Sequence, residues 1–238
     1  KRALAVEPNN QRALMARGRI FEEEVLDLDA AQDFYTQAGL RGHDPRLSAD
    51  GLFRAGILQW KSFNDTGRAY GLFSRAAKVD PTHTNCLHAL AAMEAQNGDV
   101  ETALSLYQRA VLLLPTNADT VGELADLYQS LGKIELSESA YLATLSLRPT
   151  DIDAMKGYAH LLQHHRGRAG IAAQLFSQSK ILEQEQKTRE DLEASKYEDM
   201  LNDNSSVPVT FVQQDENGRE IRSTDIAFED LDKIASGK

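Results

Sequence analysis

Five of the six prolines, Pro8, Pro45, Pro81, Pro115 and Pro149, stand at steps of 37, 36, 34 and 34 residues, and the text between them repeats. Arg2-Ala3 lies six and five residues before Pro8, Arg75-Ala76 before Pro81, and Arg109-Ala110 before Pro115. A chain written this way has no single central core. Each unit must cover the apolar face of its neighbour, so the period predicts a stack of identical supersecondary units.

The unit is clearest over residues 84–151, where two 34-residue copies overlay without a gap. Leu87, Leu90, Ala91, Gly98, Ala103, Tyr107, Ala110 and Pro115 fall opposite Val121, Leu124, Ala125, Gly132, Ser137, Tyr141, Thr144 and Pro149. Apolar residues at three- and four-residue spacing predict one buried stripe per helix. Asn97-Gly98 and Leu131-Gly132 supply a residue tolerant of left-handed backbone between helices, and the proline ends the second helix. Small residues at Ala91, Ala103, Ala125 and Ser137 let two backbones approach, with Tyr107 and Tyr141 as the large partners. Gln129 reads as a surface position that tolerates alanine.

This order of large, small and aromatic residues with a closing proline resembles the tetratricopeptide repeat family. The resemblance covers residues 1–185 and implies an all-α, right-handed α-solenoid of helix-turn-helix repeats. It divides the chain into a partial repeat at 1–11 and repeats at about 12–47, 48–83, 84–117, 118–151 and 152–185. A capping helix is expected over 186–203, and an irregular acidic extension over 204–238. The two early copies carry three and two extra residues, expected in turns near Glu22 to Asp29 and Trp60 to Gly67. The last copy has Gln184 where the proline belongs, which frees its second helix to run on. Lys1 to Pro8 matches the end of a second helix, so the sequence is expected to be part of a longer polypeptide, with any targeting segment outside it.

Composition excludes several classes. A formal net charge of −10 argues against binding DNA or RNA, which needs lysine and arginine to displace phosphate counterions. No apolar run approaches a membrane span, so insertion is not expected. A single cysteine, Cys86, rules out an internal disulfide and points to an intracellular, cytoplasmic setting. The charge is uneven: residues 187–238 hold thirteen acidic against seven basic side chains, a net of −6.

Motifs for chemistry are missing. There is no glycine-rich phosphate loop, no paired-cysteine zinc pattern and no nucleophile elbow, so neither a cofactor nor an enzymatic activity is expected. His160 and His164 share a helix face with His165 adjacent, but two imidazoles without an acidic or thiol partner more often line a polar surface than hold a metal. Cys86 near His83 and His88 is expected to be a small residue packed between helices, and Trp60 to pack within its own repeat.

What remains is a surface. In arrays of this family the first helix of each repeat lines the concave groove. By that resemblance the partner-binding positions are Asn85, His88, Ala89 and Ala92, then Asp119, Glu123 and Asp126, then Asp153, Lys156 and His160. One subset of the family grips the C-terminal carboxylate of chaperones with Lys, Asn and Arg on successive first helices. The matching positions here are His88 and Ala92, Glu123, and Asp153 and Gly157, so carboxylates would face the ligand and a clamp of that type is not expected. The expected function is a non-enzymatic protein-interaction scaffold within a multi-protein complex; the rival is the substrate-selecting part of an enzyme whose catalytic domain lies elsewhere. In the tail, Val207 to Val212 and Ile221 predict a hairpin around Asn217-Gly218, and Ile226 to Ala235 a short helix. Val209, Phe211, Ile226, Phe228 and Leu231 are expected to dock on another subunit.

Overall fold

The computed structural model describes residues 10–203, 211–214 and 220–223. Its ten helices are α1 (Gln11–Ile20), α2 (Leu28–Arg41), α3 (Pro45–Lys61), α4 (Thr66–Val79), α5 (Thr84–Gln96), α6 (Val100–Leu113), α7 (Ala118–Ser130), α8 (Ile134–Leu147), α9 (Ile152–His165) and α10 (Ala169–Asp203). The chain divides into two compact units, Lys1–Leu182 and Glu183–Lys238.

Local chemistry sets the helix ends. Asp27, Asp65, Asp99 and Asp151 each accept the amide N–H three residues on at 2.9–3.1 Å, opening α2, α4, α6 and α9. Between the paired helices of the two regular copies, Gly98 (φ +85°) and Gly132 (φ +68°) take the left-handed turn. Helices α4, α6 and α8 stop two residues short of Pro81, Pro115 and Pro149. Pro45 differs: it sits in the first turn of α3, where its missing N–H is no loss.

The extra residues of the early copies lie at turns. Phe21–Val25 forms a wide π-turn closed by Leu26 at φ +59°, and Glu22 on that turn accepts the hydroxyl of Tyr35. The second insertion is taken up after α3, where Asn64 adopts φ +53° and Asp65 caps α4.

The core runs along the array as a series of interfaces. Ala91, Ala103, Ala125 and Ser137 are fully buried, and Tyr35, Phe73, Tyr107 and Tyr141 are among the largest fully buried side chains. Ser137 replaces the alanine of the preceding copy at no polar cost, because its Oγ donates to the Ala125 carbonyl at 2.9 Å. Tyr141 lies so close to α9 that a Cβ at Gly157 would stand 2.5 Å from the tyrosine hydroxyl oxygen.

Two sequence expectations change here. Residues 186–203 are not a separate helix: α10 runs unbroken for 35 residues from Ala169 to Asp203. With Gln184 in the proline position, and no glycine or proline between Ile171 and Asp203, nothing stops it. Within the first unit, Ala172, Leu175 and Phe176 of α10 pack against Leu161 and Leu162 of α9. Gln129 is no bland surface residue, since its Oε1 accepts the Tyr141 hydroxyl at 2.8 Å.

In the second unit, strands β1 (Phe211–Gln214) and β2 (Glu220–Ser223) pair antiparallel with Phe211 opposite Ser223 and Gln213 opposite Ile221. The start of the expected first strand, the Asn217-Gly218 turn, the helix expected near Ile226 and Lys1 to Pro8 lie outside the described residues.

Candidate groove site

The first helices of successive repeats, α1, α3, α5, α7 and α9, carry a row of four depressions. The first, about 250 Å³, lies between Arg12 and Arg19 of α1 and Asp50 and Arg54 of α3. The second, about 200 Å³, is lined by Trp60, Asn85, His88 and Asp119. The third, about 240 Å³, is formed by Ala95, Tyr107, Glu123, Asp126, Leu127 and Ser130. The fourth, about 460 Å³, adjoins it through Asp126 and Ser130 and reaches Tyr141, Gly157, His160 and His164.

The four carboxylates read together from sequence separate in space. Asp119 is held by Arg148, whose Nη1 donates at 2.7 Å and also reaches Asp151 at 3.1 Å. That hydrogen bond keeps the Asp119 carboxyl below the ordinary aspartate range, so Asp119 is neutralised and is not part of a converging acidic face. Glu123 and Asp126 share the third depression. Both reach solvent, yet both stand in a concave row where neighbouring helices displace much of the water, and both carboxyls are pushed up. Desolvation is the main cause; the charges of Asp126 and Asp153 add to it for Glu123 and that of Asp153 for Asp126, while the hydroxyls of Tyr107 and Tyr141 oppose it. Asp153 is itself exposed and acts on the pair through its charge.

His88 Nδ1 lies 3.1 Å from Thr120 Oγ1 and its ring meets Tyr107 edge-on. Burial lowers its pKa, so it faces the groove as a neutral imidazole. Asn85 is exposed beside it, and Lys156 is half-buried on α9. His160 stacks on His164 with ring centroids 6.2 Å apart and abuts Phe176 edge-on. Among the described residues no group of three or more His, Cys, Asp or Glu is placed to hold a metal ion. Cys86 is buried and desolvation pushes its thiol up, away from thiolate character. Trp60 packs edge-on against Phe73.

Two features escaped the sequence reading. The first is the basic depression at α1 and α3, invisible because those copies are out of strict register. The second is the hydroxyl of Tyr107, which is fully buried beside the Glu123 carboxylate, whose charge acts on it. Its signal was present in the overlay: Tyr141 has Asp126 and Gln129 beside it, and 34 residues earlier Tyr107 has Ala92 and Ala95.

No helix among the described residues is long and apolar enough to cross a membrane. No protein-family model matches the chain, and no curated protein sequence matches it either. Solved structures do match. PilF of Pseudomonas aeruginosa aligns with a TM-score of 0.64 at 18% identity, over 79% of this chain and 85% of its own. YrrB, described as a TPR protein with an unusual peptide-binding site, aligns at 0.59 and 15%, over 76% and 90%. The APC/C hetero-tetramer Cut9–Hcn1 aligns at 0.61 and 18%, over 76% of this chain and 35% of the matched one. Helix order, turn geometry and these likenesses together establish that the chain has the tetratricopeptide repeat fold, an all-α solenoid.

Proposed function

We propose that the protein is a non-enzymatic protein-interaction scaffold whose groove across residues 118–160 holds a basic or polar segment of a partner within a multi-protein assembly. The observation that carries this reading is the pair Glu123 and Asp126: two carboxyls crowded by Asp153 and partly desolvated. Such a pair favours a cationic ligand, whose arrival offsets the repulsion. The reading agrees with the peptide-binding description of YrrB and the assembly description of Cut9–Hcn1. It disfavours nucleic acid, and it disfavours a chaperone carboxylate, which would meet Glu123 and Asp153 head-on.

The docking row runs from Asn85 and His88 through Glu123 and Asp126 to Asp153, Lys156 and His160, with Asp119 withdrawn into its pair with Arg148. The tail is a second anchor: Phe211 opens β1, and Val209, Ile226, Phe228 and Leu231 supply apolar side chains for another subunit. The compartment is intracellular. The test is a double charge reversal, Glu123→Lys with Asp126→Lys, titrated with a lysine-containing peptide. Affinity for the peptide should fall while the helical circular dichroism holds. Unchanged affinity in the folded variant sinks the groove reading.

A further inference from the structure

The groove row is basic at one end and acidic at the other. At the α1–α3 end Arg12, Arg19 and Arg54 converge on a depression of about 250 Å³ with a single carboxylate, Asp50, among them. Asp50 already lies 3.7 Å from Nε of Arg54, whose guanidinium carbon also stands 5.7 Å from the centre of the Tyr35 ring. Arg12 and Arg19 are exposed, about two turns apart on α1, and among the described residues neither has a carboxylate partner. Helix chemistry explains only one of them. Arg19 is in the last turn of α1, where the helix dipole favours a cation, but Arg12 is in the first turn, which favours an acid. Arg12 therefore gains nothing from the helix it sits on, and the group that would stabilise it is an anion arriving from outside. Met15 and Leu47, half-buried beside the arginines, give the depression apolar surface. The next depression carries one charge of each sign, Lys61 and Asp119, among Phe53, Ile57 and Trp60, and the row turns acidic only at Glu123 and Asp126.

We propose that the α1–α3 depression takes the acidic side chains of the same partner segment whose basic part lies at Glu123 and Asp126; the proposal rests on the groove reading and adds the other end of the ligand and its direction. The occupant is an extended peptide with glutamate or aspartate at one end, aliphatic side chains in the middle and lysine or arginine at the other. Carboxylates suit guanidiniums because one carboxylate accepts two parallel N–H groups from the planar fork, and aliphatic neighbours of the acids cover Met15 and Leu47. Turned end for end, the same segment would set acid against Glu123 and base against Arg12, so the charges of the groove fix which way it runs. First helices stacked about 8–10 Å apart place α7 roughly 20–25 Å from the α1–α3 depression, a span that an extended chain covers in about seven residues. A nucleic acid, anionic throughout, would be repelled at the far end.

The experiment is an amide-shift NMR titration of the full chain with a capped peptide of two glutamates, a seven-residue spacer of serine, alanine and leucine, and two lysines. One twin replaces both glutamates by glutamine, and a second replaces both lysines by norleucine. The wild type should bind the parent peptide about tenfold more tightly than the glutamine twin, with shifts at Met15 and Leu47. Arg12→Glu with Arg19→Glu should remove that advantage and leave the affinity for the glutamine twin unchanged, while the helical circular dichroism holds. Arg12→Glu alone should melt no lower than the wild type, since an acid suits the first turn, yet bind the parent peptide about threefold more weakly; an arginine kept for structure would lose stability instead. A glutamate advantage that survives Arg12→Glu with Arg19→Glu, or is missing from a wild type that still prefers lysine to norleucine, overturns the acidic end and leaves the groove reading standing. A norleucine twin that binds as tightly as the parent overturns the groove reading and the bipolar segment with it.

Discussion

The repeat at 84–117 and the repeat at 118–151 share every helix boundary to the residue, yet their equivalent tyrosines find different polar neighbours. In the later copy Asp126 and Gln129 reach across from α7 and tie down Tyr141 on α8. In the earlier copy Ala92 and Ala95 take those two positions, and Glu123 of the following helix stands by the Tyr107 hydroxyl instead. The helix crossing itself is the same in both, with Ala91 on Ala103 and Ala125 on Ser137, all fully buried. The backbone of a repeat is thus set by small residues at the crossing, and the positions one turn away decide which polar neighbours the buried tyrosine finds.

The largest expected effect attacks what the copies share. Ala125→Leu forces methylenes into a contact where the Ala125 carbonyl already receives the Ser137 hydroxyl, and should cost about 1–3 kcal/mol. Wild-type melting of that variant would show that the crossing is not where the overlay puts it. Next comes Tyr141→Phe, which leaves Asp126 and Gln129 without their donor and should cost about 1 kcal/mol in urea denaturation. Gln129→Ala removes one acceptor while Asp126 keeps the bond, so it should fall below that, near 0.5 kcal/mol. Tyr107→Phe loses only the weaker interaction with Glu123 and should fall below Tyr141→Phe, at about 0.5 kcal/mol. The comparison fails if Tyr107→Phe costs as much as Tyr141→Phe.

The smallest effects concern pH and have opposite signs. Glu123 is raised in the folded state, so its contribution to stability is present below the ordinary glutamate range and is lost as pH rises through its elevated folded value. Glu123→Gln should therefore gain on wild type as the pH climbs from about 4 toward neutral. Asp119 is lowered by Arg148; its contribution is present above the ordinary aspartate range and is lost as pH falls through the depressed value. Asp119→Asn should be less stable than wild type at neutral pH and converge with it in acid. Parallel curves for wild type and both variants would contradict both assignments.

Chain order alone was enough for the array. Proline and glycine act within a turn of where they sit, and alanines at helix crossings act through their size, so a 34-residue offset carries their meaning from copy to copy. For the same reason Asn85 and His88, Glu123 and Asp126, and Asp153 and His160 lie on α5, α7 and α9, the first helices of their repeats. Their electrostatics were not legible. Asp119, Glu123 and Asp126 look alike in sequence, and only the return of Arg148 from the end of α8 separates one from the others. The long run of α10 was half visible: Gln184 announced that nothing would stop the second helix, but not that it would continue without a break to Asp203.

By itself, then, the sequence determined the repeat, the handover from helix to turn to helix, and an acidic run of first-helix side chains, because each of these follows from local backbone preference and composition. Tertiary structure alone decided that Arg148 returns to Asp119, that Arg12, Arg19 and Arg54 gather around a depression at the opposite end of the row, and that Glu123 stands by the buried Tyr107 hydroxyl. Those depend on distances between side chains on different helices, which fall off too steeply for any spacing along the chain to encode them.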